Sequence, residues 1–225
     1  MSPWINVICY VVIALLCAVN WAAAYMDKLK LYYITKPLVL MAMMAYFGLN
    51  EGFLSTRLIF FIALGLSLLG DVFLIPQRTR YFVAGMAAFA LAHLAYIIGF
   101  SHWPVPLYTY FLAAFFLVLM VWLFHYYIEN YCKESQLPRF QKRLFKVYGV
   151  LVAGMALVAW MSLARQGWQR LPAVMAGLGG SLFMISDLMI ALDKLEKRIP
   201  RQRFWVISSY HIAQFLLISS VLKTH

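Results

Sequence analysis

The chain has 225 residues, 64% of them hydrophobic and 12% charged, with a mean hydropathy of +0.80. Soluble domains run near half apolar and a quarter charged, so the surplus apolar surface here has to be solvated by lipid. The same figures exclude a disordered chain, collagen, a coiled coil and a disulfide-stapled secreted fold, leaving one multi-pass membrane domain over residues 1–225. Three cysteines add little: Cys9 and Cys17 lie in an apolar stretch and Cys132 in a polar loop, with no CxxC or Cys/His spacing.

A spanning helix needs about 20 mostly apolar residues, and eight such stretches follow one another. The first, Trp4–Tyr25, is too long and lacks the basic flank of a cleavable signal, so it reads as a span. Leu31–Leu49 follows with Lys36-Pro37 inside it, then Leu58–Ile75, Tyr81–Phe100 and Pro106–Ile128. Val147–Ala164, Pro172–Leu192 and Phe204–Leu222 complete the set. The runs are continuous and far longer than barrel strands, so the predicted fold is all-α, a polytopic membrane protein of eight transmembrane helices.

Eight spans put both termini on one face. On that face stand four basic residues, Arg57, Arg165, Arg170 and Lys223. The opposite face carries fourteen: Lys28, Lys30, Arg78, Arg80, Lys133, Arg139, Lys142, Arg143, Lys146, Lys194, Lys197, Arg198, Arg201 and Arg203. This asymmetry is the positive-inside signal, and it predicts both termini on the non-cytoplasmic side. The net charge of +11 is therefore explained by topology and anionic membrane lipids, and no nucleic-acid partner is expected. The basic stretch Leu137–Lys146 is either an interfacial amphipathic turn or a solvated loop. Short loops and the absence of Asn-x-Ser/Thr sequons fit a bacterial inner-membrane protein.

Six of the eight acids fall in loops; Asp71 and Asp187 lie inside spans three and seven. An acid at mid-membrane costs about 2.5–3.5 kcal/mol on insertion scales, which marks it as a functional candidate. At about 1.5 Å per residue, both acids stand roughly 6–8 Å from the basic face. Lys36, Tyr210 and His211, and Asn20 fall at similar levels, and His93 with Tyr96 somewhat deeper. Each has a structural counterpart reading. The acids would be clamped by Lys36 or helix-end donors, Lys36 would snorkel to water, and His93, His211, Tyr210 and Asn20 would bond between helices. The layering of these groups in one half of the bilayer favours a site. Gly177, Gly179, Gly180, Ser181 and Ser186 in span seven read as a close helix contact. Gly70-Asp71 and Ser186-Asp187, four spans apart and each followed by a span carrying His or Tyr, are compatible with a 4+4 duplication.

The pattern resembles the lysoplasmalogenase family of YhhN-like and TMEM86 membrane proteins. The resemblance rests on Lys36-Pro37, Leu69-Gly70-Asp71, Gly85-x3-Phe89-x3-His93-x2-Tyr96, Gly180-Ser181-Leu182-Phe183-x2-Ser186-Asp187 and Tyr210-x2-Ala213-Gln214, in order over nearly the whole chain. It implies hydrolysis of the vinyl ether bond of lysophospholipids of the plasmalogen class; no cofactor is expected, and no residue is assigned to a metal. Such a bond is cleaved by protonating its β-carbon and capturing the oxocarbenium ion with water, a logic shared with glycosidases. Asp71 and Asp187 would then form a coupled pair, one protonated and one ionised near neutral pH. Lys36 would neutralise the ionised partner or the lipid phosphate, and His93, Tyr96 and Tyr210 would orient water or substrate. Three alternatives stay open: a small-solute or proton transporter using the same acids, a zinc-dependent hydrolase built on His93, His125 and His211, and a non-enzymatic lipid-binding protein. Oligomeric state is not encoded in any feature of the chain.

Overall fold

The structure is a computed structural model, and it describes residues 3–51, 57–76, 78–131, 139–194 and 199–222. Among the described residues all regular structure is helical: α1 (Pro3–Tyr25), α2 (Leu29–Glu51), α3 (Leu58–Phe73), α4 (Thr79–Ser101), α5 (Leu107–Tyr131), α6 (Arg139–Trp160), α7 (Arg170–Lys194) and α8 (Gln202–Leu222). A short 3-10 turn, Met161–Ala164, extends α6. A chain this apolar has no water available to its backbone, so every segment at membrane depth bonds within itself as a helix.

Among the described residues six stretches are long and apolar enough to cross a bilayer: Pro3–Tyr25, Leu29–Asn50, Thr79–Ser101, Arg143–Ala164, Arg170–Asp193 and Gln202–Leu222. This is an integral, multi-pass membrane protein. Leu58–Phe73 and Leu107–Leu123 are shorter apolar helices. At 16 residues α3 extends about 24 Å, less than the roughly 30 Å hydrocarbon core. It stops at Phe73, short of the predicted Ile75, because Pro76 disfavours helical backbone at the residue before it. The basic stretch before Val147 is no separate turn where it is described. From Arg139 onward it is the opening of α6, continuous with the span. Cys132, Lys133 and Glu134, the stretch from Glu196 to Arg198, and the last three residues lie outside the described residues.

Neighbouring helices run antiparallel. At one end the α1–α2 turn meets the start of α8, with Arg203 bonded to Asp27 at 2.8 Å and Arg201 stacked over Tyr25 at 3.8 Å. Asp27 turns the chain with φ +53°. At the other end Arg165 donates to the Trp103 carbonyl (3.3 Å) and to the Val158 carbonyl (3.1 Å), joining the ends of α4 and α6. Burial pulls that guanidinium below its usual range, to about 10.

Close packing is set by missing side chains. A Cβ on Gly70 would lie 2.6 Å from the Phe89 ring, so the glycine before Asp71 is what lets α4 seat its aromatic face on α3. On Gly180 it would lie 2.9 Å from the Ala156 backbone, drawing α6 against α7 as expected for the small-residue stretch. Pro37 leaves one α2 carbonyl without its helical donor. In the turn before it the Asn20 amide donates to the Tyr32 carbonyl (2.9 Å) and to the Thr35 hydroxyl (2.7 Å). Helix α5 lies along α6 and the 3-10 turn, but makes no extended contact with its sequence neighbour α4 among the described residues.

Candidate functional site

Two polar clusters are built into the bundle near its basic end. In the first, Lys36 Nζ from α2 lies 3.0 Å from Asp71 Oδ1 on α3, meeting it as an ion pair rather than as a well-aligned hydrogen bond. The Tyr210 hydroxyl of α8 donates to Asp71 Oδ2 at 3.1 Å. Asp71 is 1% exposed. A charge so enclosed is tolerated only because its counter-ion comes with it. Tyr96 extends the layer by donating to Gln214 Oε1 at 2.5 Å.

The second cluster surrounds Asp187 on α7. Its Oδ2 accepts from the Tyr148 hydroxyl of α6 at 2.8 Å and pairs with His93 Nε2 of α4 at 3.0 Å. His93 and Tyr148 also approach each other, at 3.2 Å. His93 Nδ1 is buried without a partner. Asp187 is 9% exposed, and that exposure faces a cavity of about 690 Å³. The cavity is bounded by α4, α5, α6 and α7, with Phe89, Met120, Val152 and Met184 among its apolar walls. It lies where α5 stands away from α4.

The expected residues are therefore divided. The two carboxylates do not meet in one hydrogen-bonded pair; each has its own partners. Between the clusters lies an aromatic layer. Phe183 sits 4.5 Å from His93 and 5.3 Å from Tyr210, centroid to centroid, and Phe89 is 5.8 Å from Tyr210. Lys36, Asp71 and Tyr210 join as one group, and His93 and Asp187 as another. Tyr96 bonds Gln214 rather than either acid. His211 accepts from the Trp21 indole at Nδ1 (3.1 Å), and Asn20 fastens α1 to α2. The three histidines considered as zinc ligands lie in different places, His125 pairing with Lys146 at 3.2 Å. Among the described residues no three metal-ligating side chains converge.

Tyr148 is the site residue that sequence reasoning missed. A tyrosine close to the predicted start of a span reads as an interfacial belt residue, and only its contact with Asp187 separates it from that background. Gln214 carried a signal, an amide within an apolar helix, but nothing in the sequence names its partner.

The clusters share one topology. Asp71 is held by the second helix of its own half and the last helix of the other half, α2 and α8. Asp187 is held likewise by α6 and α4. The halves differ in enclosure. Helix α1 packs on α8 beside the first cluster, whereas α5 leaves its counterpart α4 uncovered beside the second.

These features define a polytopic membrane protein with an acid and a tyrosine at the wall of an apolar cavity, and a histidine buried behind the acid. Residues 31–221 match the YhhN family, and the chain belongs to it. The lysoplasmalogenase TMEM86A of Bos taurus is 34% identical over 169 residues, covering 73% of this chain and 65% of that protein. The human TMEM86A is 31% identical over the same shares. Human lysoplasmalogenase TMEM86B is 32% identical over 166 residues, 72% of this chain and 62% of that protein. The chain thus matches just under two thirds of the length of these relatives. No solved structure matches it.

Proposed function

We propose that the protein is a membrane lysoplasmalogenase, cleaving the vinyl ether bond of an alkenyl lysophospholipid to a fatty aldehyde and a glycerophospho-base. The observation that carries this is the position of Asp187: a carboxyl group, braced by Tyr148 and His93, at the wall of a cavity large enough and apolar enough to take a single-chain lipid. The relatives' names point to the same reaction.

The chemistry closes with one carboxyl group. A proton held in the Asp187–His93–Tyr148 cluster passes to the β-carbon of the alkenyl chain, and the C=C electrons form the new C–H bond. Positive charge develops on the adjacent carbon and its ether oxygen, where the Asp187 carboxylate faces it across a low-dielectric cavity. Water adds to that carbon and gives its proton to Asp187. The hemiacetal then collapses: the carbon–oxygen bond to glycerol breaks, the glycerol oxygen takes a proton from Asp187, and the hemiacetal hydroxyl returns one. The acid is regenerated, and one water has been consumed. Tyr148 and His93 keep the carboxyl oriented, both binding Oδ2, so that Oδ1 remains for the substrate.

Asp71 takes a different part. It is sealed against Lys36, so it acts as the second, buried acid, holding Tyr210 against the Phe183 ring that backs His93. Of the two carboxylates, Asp187 touches substrate and Asp71 is a positioning residue. Tyr96 and Gln214 support that layer. We also infer that the eight helices form one transmembrane domain with both termini outside. The joined basic turns at 27–28 and 201–203 then face the cytoplasm, and the enzyme lies in a bacterial inner membrane.

The test is an assay of purified protein with three lysolipids that differ only in an alkenyl, acyl or alkyl chain at the first position. Cleavage confined to the alkenyl lipid is expected. Hydrolysis of the acyl lipid at a comparable rate, or of none of the three, overturns the proposal.

A further inference from the structure

The same cavity has a polar rim that the chemistry above does not use. His125 on α5 and Lys146 on α6 both line it, and the Lys146 ammonium lies 3.2 Å from His125 Nδ1 at an exposed position. Apart from these two, Asp187, Tyr148 and Tyr126, the lining is almost wholly apolar.

The order of groups along the wall is informative. On α6, Lys146 comes two residues before Tyr148, which holds Asp187, while Val152 and Ala153 line the cavity further on. At about 1.5 Å per residue the wall passes from cation to acid in about 3 Å of rise, and reaches purely aliphatic lining within about 10 Å. On α7 the lining is apolar on both sides of Asp187, from Met184 to Leu192, so the rim's basic groups come from α5 and α6. The matching ligand carries an anion at one end, its reacting bond a few atoms away, and a hydrocarbon chain beyond. In a lysophospholipid the three-carbon glycerol unit separates the phosphate from the first-position oxygen. With the ether at Asp187, the phosphate falls at the rim rather than in the apolar interior.

We propose that Lys146 and His125 form the subsite for the phosphate of the lysolipid headgroup. This rests on the functional proposal for Asp187. Lys146 supplies the point charge that a phosphate needs, and His125 a second nitrogen beside it. The pair selects phosphate-bearing single-chain lipids over neutral alkenyl or alkyl glycerols, and sets the depth at which the first-position oxygen comes to rest.

The experiment measures binding without cleavage. Full-length protein in a phosphate-free maltoside micelle is titrated calorimetrically with an alkyl lysophospholipid, which has no vinyl ether to break, and with the alkylglycerol lacking phosphate. A diacyl phospholipid serves as competitor, to separate a substrate subsite from a general headgroup contact. The wild type is expected to bind the phosphate-bearing lipid at least about tenfold more tightly, the range of one charge-assisted hydrogen bond. Lys146→Gln should erase that preference, Lys146→Arg should retain most of it, and His125→Ala should reduce it. With alkenyl lysophospholipid, Lys146→Gln should raise KM by a similar factor while leaving kcat near wild type. An unchanged preference in Lys146→Gln overturns the proposal, as does equally potent displacement by the diacyl lipid. Because no bond breaks in the titration, a preserved phosphate preference in a protein that cleaves no alkenyl lipid would remove the enzymatic proposal and keep the subsite. The reverse result would remove the subsite alone.

Discussion

Replacing Asp187 with asparagine removes a transferable proton and a negative charge while keeping the shape of the side chain. The carboxylate accepts from Tyr148 at 2.8 Å and pairs with His93 at 3.0 Å, both through Oδ2. An amide oxygen in that place still accepts from the same groups, but as a neutral acceptor, worth about 1 kcal/mol less per bond. The cost to the fold is thus about 2 kcal/mol, which for a domain of this size lowers Tm by roughly 4–8 °C. The cost to the reaction is much larger. General acid–base catalysis contributes about 10²–10⁴-fold for one proton-transfer step, and here both protonation of the β-carbon and deprotonation of water pass through the same carboxyl group. A loss of at least about 10³ in kcat is expected, read as release of fatty aldehyde from alkenyl lysophospholipid in mixed micelles. The melting curve of the same sample separates a dead site from a lost fold. If Asp187→Asn turns over within about tenfold of wild type, the proton does not travel through Asp187 and the mechanism is wrong.

Other perturbations act on the parts around that site. Lys36→Met and Asp71→Asn each strand a buried charge and should cost about 3–5 kcal/mol; the double variant should cost clearly less than the two added, and strict additivity in detergent unfolding would show that the pair is not coupled. Gly70→Ala places a methyl group 2.6 Å from a Phe89 ring already wedged against Phe183 and Tyr210, and should lose about 1–3 kcal/mol of stability. Ala153→Phe fills the aliphatic part of the cavity, so KM should rise more for long alkenyl chains than for short ones; equal effects on both would place the chain elsewhere. Arg165→Met removes donors from the Trp103 and Val158 carbonyls at the far end of the bundle, and should lower Tm by several degrees with kcat unaffected in the folded protein.

The helices were legible because lipid solvation leaves few alternatives: a long apolar run must be a helix, and eight of the described helices fall on the eight predicted stretches. Their ends were less so. The stop of α3 at Phe73 follows from Pro76, a local signal, but the extension of α6 back to Arg139 required knowing that a basic stretch continues a helix through the interface. Of the site, the sequence marks what is expensive in a membrane, and so it exposed Asp71, Asp187, Lys36 and His93. It does not say which of these face each other. The Lys36–Asp71 pairing was among those anticipated. The separation of the two aspartates by Phe89, Phe183 and Tyr210 was not, because equal depth in two helices leaves their rotation about the bundle undetermined. Tyr148 has no cost signature at all: a phenol near a span end is ordinary, and its role exists only through the carboxylate it meets.

The repeated topology gives that separation a physical sense. Each half supplies an acid on its third helix, and each acid is held by the second helix of its own half and the last of the other. If both were equally enclosed, two buried acids would burden the fold with no access to a ligand. Instead one half is closed by α1 on α8, and its acid is matched by a lysine. In the other, α5 stands off from α4, and the acid is matched only by neutral or titratable donors, a tyrosine and a histidine. An ion pair is stable because its charges are complete, and for the same reason it is a poor proton donor. A carboxyl held by a phenol and an imidazole can gain or lose a proton without breaking its contacts. Exchanging the partners should therefore move the properties with them. Introducing Lys at Tyr148 should stabilise Asp187 as an ion pair and abolish turnover, whereas Tyr148→Phe, which keeps the ring but removes the hydroxyl donor, should lower kcat by about tenfold to a hundredfold and leave KM largely unchanged. Full activity in Tyr148→Lys would show that Asp187 works as a fixed charge rather than as a proton carrier.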